Sequence, residues 1–447
     1  MNKVDYDTLI LGAGVAGLAA ARILAESGAR VGVLEARRRI GGRVFTRHVA
    51  ATDAERAIPV ELGAEFVHGL PQETWELLRE AALDTYELRG TRVRSAHGRL
   101  ESLDENREGG LAVLEQMTQW AAAQSGGRDA SFAEYLQLSA VGDAAGQRAV
   151  DYVEGFNAAD SHVISVAALA RQQLAEDQIE ADRLFRVRRG YDCLPEFLAA
   201  KIAQAGGTIL LDRVVREIAW KRGAVTMRGV ASDGDELCVR ASRAVITLPL
   251  GVLQAGTVEF APPPGTVLTH ARRLAMGSVV RVTLLFGSRF WANPAAELEQ
   301  LSFLFADDEL PPTWWTAMPD AAPTITGWVG GSKAVGLQKI IASGGQPEAL
   351  LTLCLSALAR IFGVSAAHLQ SLLLSWHTHD WQSDEFTRGA YSYAPVGAVD
   401  ASQKMTEPVE GTLYFAGEHT DTSGHWGTVH GALRSGIRAA TQLLAMP

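Results

Sequence analysis

The spacing of apolar and polar positions predicts a strand, a helix and a second strand at the start of the chain. YDTLIL (6–11) is a short apolar run of strand type, and the apolar periodicity from about Val15 to Ser27 is helical. ARVGVLE (29–35) is again of strand type and ends on an acid. The chain therefore opens with a β-α-β unit.

The rest of the chain alternates between helical and strand-rich blocks. Residues 71–189 are mostly helical in pattern and acidic, whereas residues 190–264 contain successive strand patterns. A mixed segment follows to about Arg388. TLYFAGEH (412–419) then precedes a helix predicted for about 428–444.

Strand-rich blocks at the start, middle and end of the chain predict two lobes, one of them built from separated segments. A chain of 447 residues also exceeds the size at which a single core keeps growing. We predict that the first lobe comprises residues 1–80, 190–262 and 392–447, and the second residues 81–189 and 263–391.

Composition and charge narrow the possible partners. The chain is 47% hydrophobic and 21% charged, as soluble globular proteins are, and its formal charge of −10 argues against nucleic acid as a main partner and suits a cationic substrate. The N-terminus lacks a signal-peptide pattern, and no run of about 18 apolar residues occurs. We expect a soluble, cytoplasmic protein that does not enter a membrane and is a monomer or homodimer.

The cysteines indicate neither disulfides nor a metal. Cys193, Cys238 and Cys354 stand far apart, without CxxC spacing or histidines at ligand intervals. We interpret them as reduced core residues and predict no metal site.

Residues 9–17, LILGAGVAG, have the glycine pattern of a dinucleotide site between a predicted strand and a predicted helix. Gly12 permits the tight turn, Gly14 lets the backbone approach a pyrophosphate, and Gly17 lets helix and strand pack closely. Glu35 ends the second strand near the expected distance of about 20 residues, where a carboxylate accepts the ribose hydroxyls. The alternative, a glycine-rich turn without a ligand, leaves Glu35 unexplained.

A second glycine pair lies in EARRRIGGRVFT (35–46) and distinguishes between dinucleotides. Gly41 and Gly42 allow close backbone approach, and Arg43 can neutralise phosphate. A nicotinamide site does not need this pair, whereas a larger, more deeply enclosed dinucleotide can use it.

This second pattern resembles the second FAD fingerprint of the flavin amine oxidases, which include monoamine oxidases, polyamine oxidases and lysine-specific histone demethylases. Segments that resemble other motifs of the family follow in the family's order: VELGAEFVHG (60–69), VRRGYDCLPEFLA (187–199), LLDRVVREI (210–218), VITLPLGVL (245–253), Trp381 with GAYSY (389–393), YFAGEHT (414–420) and GTVHGALRSGIRAA (427–440). The resemblance implies an α/β, two-lobed flavoprotein with a Rossmann-like FAD-binding domain of the GR2 type and an inserted α+β substrate-binding domain. The first lobe would be the FAD-binding domain.

The resemblance also implies how FAD is held. Glu35 would hold the adenosine ribose, Arg43 the phosphates, and Val215 would face the adenine. Ala390 stands where monoamine oxidases carry the flavin-linked cysteine, so the FAD would be bound without a covalent link.

At the flavin end, Glu418 would hold the ribityl or phosphate portion, and Thr428 and Val429 would lie near the pyrimidine ring. The complete set of implied cofactor-binding residues is Gly12, Gly14, Gly17, Glu35, Ala36, Arg37, Gly42, Arg43, Gly63, Ala64, Glu65, Val215, Gly417, Glu418, Thr428 and Val429.

The family reaction passes a hydride from a C–H bond next to an amine to flavin N5, after which water hydrolyses the imine and O2 reoxidises the flavin to give hydrogen peroxide. Tyr391 matches one wall of the family's aromatic cage, while Thr428 replaces the aromatic of the other wall and leaves the site open. Trp381 and Trp426 could compensate. His68 resembles a substrate-facing histidine of animal-type polyamine oxidases, an ordinary loop histidine being the alternative.

Arg281 is the one charged residue in the apolar strand GSVVRVTLLF (277–286). The segment resembles the family strand whose lysine holds a water against flavin N5. Three roles stay open for the arginine: holding that water from further away, contacting flavin or substrate, or pairing with an acid at the lobe interface. We favour a role next to the flavin.

The leading hypothesis is an FAD-dependent oxidase of a polyamine or an aryl-alkyl monoamine. A second ammonium group could be bound by Glu65, which lies near His68, or by acids of the substrate lobe, although a surface position is the alternative for each; the acids of that lobe are Glu154, Asp160, Glu176 and Asp177. An L-amino acid oxidase is a second hypothesis and needs an arginine clamp, for which Arg89, Arg92 and Arg171 are available. A flavoprotein that binds FAD or a peptide without turnover is the third.

Overall fold

The fold is that of a computed structural model, which describes residues 4–50, 57–96, 98–103, 109–124, 129–231, 234–292, 298–344 and 348–446. The α-helices in chain order are α1 (Val15–Glu26), α2 (Gln72–Glu80), α3 (Gly109–Ala123), α4 (Phe132–Leu138), α5 (Asp143–Asn157), α6 (Val166–Gln178), α7 (Cys193–Gln204), α8 (Leu250–Ala255), α9 (Val267–Ala271), α10 (Gly331–Gly344), α11 (Glu348–Phe362), α12 (Ala366–Leu372), α13 (Ala401–Lys404) and α14 (Val429–Leu444).

The strands in chain order are β1 (Tyr6–Leu11), β2 (Val31–Leu34), β3 (Thr46–Val49), β4 (Ile58–Glu61), β5 (Val67–His68), β6 (Thr85–Glu87), β7 (Thr91–Ala96), β8 (Arg99–Ser102), β9 (Leu184–Val187), β10 (Thr208–Leu210), β11 (Arg213–Lys221), β12 (Ala224–Ala231), β13 (Glu236–Ile246), β14 (Glu259–Ala261), β15 (Ala275–Met276), β16 (Val279–Phe286), β17 (Leu301–Ala306), β18 (Thr313–Thr316), β19 (Thr324–Gly330), β20 (Leu373–His377), β21 (Ser392–Tyr393) and β22 (Leu413–Phe415).

An eight-stranded sheet forms the nucleotide-binding side of the molecule. Its order is β10-β2-β1-β13-β12-β11-β14, and β22 also pairs with β13. β1 is parallel to both β2 and β13, and α1 connects β1 to β2, as the opening pattern predicts. α14 packs on α1 so closely that a Cβ at Gly436 would lie 2.1 Å from the carbonyl oxygen of Ala16.

A seven-stranded sheet forms the other side, in the order β20-β16-β19-β18-β17-β7-β8. Its pairs are antiparallel except for β17 and β7. Apolar residues of β16 pack against α10 and α11 in a separate core that includes Val282, Leu284 and Phe286. The α/β class and the two-lobed architecture are therefore as predicted.

Each of the two large sheets draws its strands from one of the two predicted sets of segments. The strands of the eight-stranded sheet lie within residues 1–80, 190–262 and 392–447, and those of the seven-stranded sheet within 81–189 and 263–391. The exact domain boundaries stay a prediction.

Helices α2 to α6 account for most of the regular structure of residues 71–189, as predicted, although four short strands, β6 to β9, also occur there and two of them join the seven-stranded sheet. The interpretation of all three cysteines as core residues was wrong. Of the three free cysteines only Cys354 is in the core, because Cys193 is partly exposed and Cys238 is exposed.

Among the described residues no single helix is long and apolar enough to cross a membrane, although α11 and α12, bent by 113° at their junction, pass that test as a pair.

Candidate active site

A cavity of about 960 Å³ lies between the two large sheets. It reaches from the β1-α1 turn and the end of β2, at Gly14 and Glu35, to Arg281 and Phe303 of the seven-stranded sheet. Every predicted cofactor-binding or catalytic residue lines it except Gly17. Gly17 instead packs helix against strand, since a Cβ there would lie 2.0 Å from the carbonyl oxygen of Gly12.

Glu35 organises the nucleotide end of the cavity. Its carboxylate accepts hydrogen bonds from the backbone N–H of Ala13 at 2.8 Å and of Arg37 at 2.9 Å, so the second strand holds the glycine turn in place. The guanidinium of Arg37 points elsewhere and donates to Asp384 at 2.5 Å and to Thr387 at 2.7 Å. Glu35 therefore fits the ribose, whereas the side chain of Arg37 ties this end to residues 384–387.

The backbone conformation of Gly14 and the space around it show whether these residues fit a dinucleotide. Gly14 has φ −73° and ψ 175°, a conformation open to any residue, so the backbone does not require glycine there. A Cβ at Gly14 would meet no protein atom within 4 Å and would project into open space. Glycine at this position is explained by a ligand that approaches the backbone, beside the free N–H groups of α1. The residues fit the pyrophosphate of FAD.

Glu418 is the centre of a buried polar cluster at the other half of the cavity. Its carboxylate accepts from Arg43 at 2.9 Å, from the hydroxyl of Ser392 at 2.6 Å and from the N–H of Gly427 at 2.9 Å. Burial is the largest single influence on Glu418 and opposes ionisation, but the charges of Arg43 and His419 and the hydrogen bonds from Ser392 and Arg43 together outweigh it and hold the pKa of Glu418 below its usual value. Arg43 also donates to the carbonyl of Ala390 at 2.8 Å. Glu418 therefore fixes Arg43 and the 390–392 segment.

Tyr391 and Thr428 differ in what their hydroxyls do. The Tyr391 hydroxyl donates to the carbonyl of Phe156 at 2.6 Å, so the ring is anchored across the cavity to the end of α5. The Thr428 hydroxyl donates to the carbonyl of His425 at 2.7 Å and accepts from the N–H of Gly431 at 2.9 Å, which makes Thr428 the N-cap of α14. Its hydroxyl is thus engaged in holding the helix.

Trp381 and His68 both line the cavity. Trp381 contacts the start of segment 62–68, and His68 is the last residue of that segment. The indole N–H of Trp381 donates to the carbonyl of Leu62 at 2.8 Å, and the ring lies over Gly63, where a Cβ would be 3.1 Å away. His68 lies edge to face with the rings of Phe66 and Phe156. Burial lowers the pKa of His68 to about 4, so the imidazole is neutral at pH 7.

Arg281 pairs with an acid at the interface of the two lobes, the third of the roles left open by the sequence. Its guanidinium donates to the carbonyl of Gly63 at 2.8 Å and forms an ion pair with Glu65. The indole N–H of Trp315 donates to the same carboxylate at 3.0 Å, and Arg186 binds its other oxygen. Arg281 also lines the cavity. Glu65 therefore does not bind a second ammonium group, because two arginines already hold it.

The remaining candidate acids and arginines lie in different places. Glu154 and Glu176 line the cavity, as does Asp177, whereas Asp160 is not among its lining residues. Burial raises the pKa of Glu176 to about 7. Of the candidate arginines, the structure places Arg92 in the cavity wall. Arg89 is exposed and near Glu87, and Arg171 binds the carbonyl of Thr422.

The sequence did not single out the rest of the wall. Six aromatic residues of this wall come from the residue before β5, from the end of α5 and from β17, β18 and β19: Phe66, Phe156, Phe303, Phe305, Trp315 and Trp328. TWWT and LSFLFA are rich in aromatic and apolar residues, which favours strands, but which face meets the cavity depends on sheet pairing. The structure adds a largely aromatic wall to the side of the cavity that faces Tyr391.

The fold and the cavity define a two-lobed protein that encloses a dinucleotide between its lobes. The family model described as flavin containing amine oxidoreductase matches residues 15–444. The chain belongs to this family, and its cofactor is FAD.

Two curated relatives illustrate the range of the family. The chain is 28% identical over 480 residues to a lysine-specific histone demethylase 1 homolog 2 of Oryza sativa subsp. japonica, covering 99% of this chain but 57% of that protein. It is 26% identical over 488 residues to a putrescine oxidase of Kocuria rosea, covering 99% of this chain and 96% of that protein. This chain thus spans little more than half of the demethylase homologue.

Solved structures show the same fold. A putrescine oxidase bound to putrescine superposes with a TM-score of 0.81 at 22% identity, over 98% of this chain and 99% of that one. A cyclohexylamine oxidase from Brevibacterium oxydans superposes with a TM-score of 0.79 at 22% identity, over 98% of each chain.

Proposed function

We propose that the protein oxidises a diamine or polyamine, with FAD bound non-covalently and O2 as the acceptor that yields hydrogen peroxide. The observation that supports this substrate class is Glu154. It lines the cavity and is 8% exposed, and its carboxylate accepts hydrogen bonds from the N–H and hydroxyl of Ser161 at 3.1 and 2.7 Å. No lysine or arginine pairs with it among the described residues.

A buried carboxylate without a cation is costly unless a ligand supplies the missing charge. A second ammonium group on the substrate would do so, while the first amine reacts at the Tyr391 end of the cavity. Glu176 and Asp177 line the same cavity and add negative charge along it. A monoamine would leave Glu154 uncompensated.

In this proposal the aromatic wall favours the neutral form of the amine that reacts. The rings of Phe156, Trp328 and Tyr391 form a largely apolar surface, which disfavours the ammonium form and so supplies the neutral amine that the reaction needs. FAD, when bound, accepts the hydride from the carbon next to that amine. Tyr391, held by the carbonyl of Phe156, orients the amine.

The test is anaerobic mixing of the purified yellow protein with amines of matched length. We expect putrescine and spermidine to bleach the flavin and butylamine to bleach it far less. Faster bleaching by butylamine or phenylethylamine would overturn the proposed substrate class. Bleaching by amino acids alone would favour an L-amino acid oxidase with Arg92 in its wall, and no bleaching by any compound would favour a binding protein without turnover.

Glu154→Gln tests whether Glu154 binds the second ammonium group of the substrate. Loss of a charge-assisted hydrogen bond of about 1.5–3 kcal/mol should raise the putrescine concentration for half-maximal bleaching by roughly 10- to 100-fold and leave butylamine unchanged. Asp151→Asn is the matched control, since Asp151 lies one turn earlier on α5 and is already paired with Lys333 at 2.8 Å. If both variants changed the putrescine concentration for half-maximal bleaching equally, Glu154 would not be a substrate-binding residue.

A further inference from the structure

Two arginines share one carboxylate at the lobe interface. Arg281 and Arg186 each form an ion pair with Glu65, one on each carboxylate oxygen. All three side chains are buried, with exposures of 5%, 10% and 8% for Arg281, Arg186 and Glu65. The Nε atoms of both arginines have no hydrogen-bond partner among the described residues.

The charges of this triad do not cancel. Two guanidinium groups and one carboxylate leave one net positive charge in a buried position, where charges are weakly screened. Arg281 and Glu65 line the cavity, whereas Arg186 is behind them, with its guanidinium 5.1 Å from the centre of the Phe66 ring. Arg186 therefore supplies the excess positive charge from behind the residues that line the cavity.

The triad also adjoins the flavin half of the cavity. The carbonyl of Gly63 binds Arg281, and the next residue, Ala64, donates its N–H to the carbonyl of Arg43 at 3.0 Å. Arg43 in turn binds Glu418 and Ala390. Gly14 of the nucleotide turn pairs with Gly41, two residues before Arg43, so these contacts run from the nucleotide end through Arg43 to the triad. A dinucleotide with its pyrophosphate at Gly14 would therefore place its flavin ring on the side of the triad.

We infer that Arg186 is a positioning residue that acts through Glu65 on Arg281 and keeps one net positive charge beside the flavin, which raises the flavin's reduction potential. Reduction adds two electrons to the flavin, and a nearby positive charge stabilises the more negative form. Without Arg186, Glu65 would neutralise Arg281. The inference rests on FAD binding and not on the proposed diamine substrate.

The inference predicts opposite shifts of the flavin's reduction potential in two variants. The potential is measured at pH 6 by equilibration with a reference dye. Glu61, the next acid beside the triad, is largely protonated at that pH because burial raises its pKa to about 7. Arg186→Gln, which leaves a neutral pair, should lower the potential. Glu65→Gln, which leaves two cations, should raise it, and the double variant should return close to the wild-type value.

Arg183→Gln is the matched control, because Arg183 lies three residues away, is 39% exposed and pairs with Glu87 and Glu180. Its potential should equal that of the wild type. A purely structural role for Arg186 would move both single variants in the same direction or move neither, and either result overturns the inference.

Loss of FAD from Arg186→Gln would not prevent the test. Arg186→Lys keeps the charge and should keep the potential, and Glu65→Gln alone must still raise it. An unchanged or lower potential in Glu65→Gln overturns the inference on its own, and the visible spectrum shows in each case whether FAD is bound.

Discussion

The Tyr391 hydroxyl donates a 2.6 Å hydrogen bond to the backbone carbonyl of Phe156 and so joins the wall of the cavity near α14 to the last turn of α5. Gly427 lies against the ring, since a Cβ there would be 2.8 Å from Cδ2 of Tyr391. The position of the ring is therefore set by contacts on both lobes.

Tyr391→Phe should retain FAD and slow reduction of the flavin by amine. A neutral hydrogen bond contributes about 1 kcal/mol, so the rate of anaerobic bleaching should fall roughly five-fold as the ring loses its anchor. Tyr414→Phe is the control, because its hydroxyl also donates to a backbone carbonyl, that of Gly411 at 3.3 Å, but does not line the cavity. Unchanged bleaching in Tyr391→Phe would mean that the hydrogen bond does not orient the ring.

Alanine at Gly14 and at Gly17 should have different consequences. At Gly14 the new Cβ meets no protein atom within 4 Å, so the stability of the apoprotein should stay within about 0.5 kcal/mol while FAD binding weakens roughly ten-fold. At Gly17 the Cβ would lie 2.0 Å from the carbonyl oxygen of Gly12, so the apoprotein itself should lose about 3 kcal/mol. Urea unfolding and flavin titration separate the two effects; normal FAD affinity in Gly14→Ala would place the pyrophosphate elsewhere.

Glu418→Gln should destabilise the protein. Glu418 is buried and Arg43 is 24% exposed, so removing the carboxylate charge leaves Arg43 partly uncompensated and should cost about 2 kcal/mol of the free energy of unfolding, and FAD should be released at lower urea concentration. Glu217→Gln breaks an ion pair with Arg228 whose side chains are 35% and 50% exposed, and it should cost less than about 1 kcal/mol. Equal midpoints of urea unfolding for the two variants would contradict a structural role for Glu418.

Stability should fall with rising pH because of Glu61. Burial raises its pKa from 4.5 to about 7, although Thr46 and the N–H of Tyr191 donate to the carboxylate. The folded state therefore holds a proton that the unfolded chain releases between pH 4.5 and about 7, and the free energy of unfolding falls across this window and levels off above it.

Glu61→Gln should remove this component, so that its loss of stability between pH 4 and pH 8 is smaller than that of the wild type by roughly 3 kcal/mol. Urea unfolding at both pH values measures the difference. Glu176, whose pKa is also raised to about 7, should preserve a residual fall in both proteins. Parallel pH profiles for Glu61→Gln and the wild type would show that Glu61 is ionised in the folded state.

The nucleotide half of the site could be predicted from the sequence because its chemistry is local. LILGAGVAG and Glu35 belong to one β-α-β unit, and the 2.8 Å contact between Glu35 and the N–H of Ala13 spans only 22 positions. Strands β7 and β8 were missed because TRVRSA and RLES carry charged and small residues instead of a clear apolar alternation. Ser392 lies in the GAYSY segment, but that segment does not show that its hydroxyl binds Glu418.

The sequence by itself determined the α/β class, the glycine turn, the acid that closes it and the presence of an arginine in a buried strand, since each depends on residue type and short-range spacing. Only the tertiary structure decided that Arg281 pairs with Glu65, 216 positions away, and that Tyr391 meets Phe156, 235 positions away. It also decided that His68 is neutral and that Glu154 has no cationic partner among the described residues. Burial and the balance of charge depend on which segments of the two lobes meet. The order of residues along the chain does not by itself specify which segments these are.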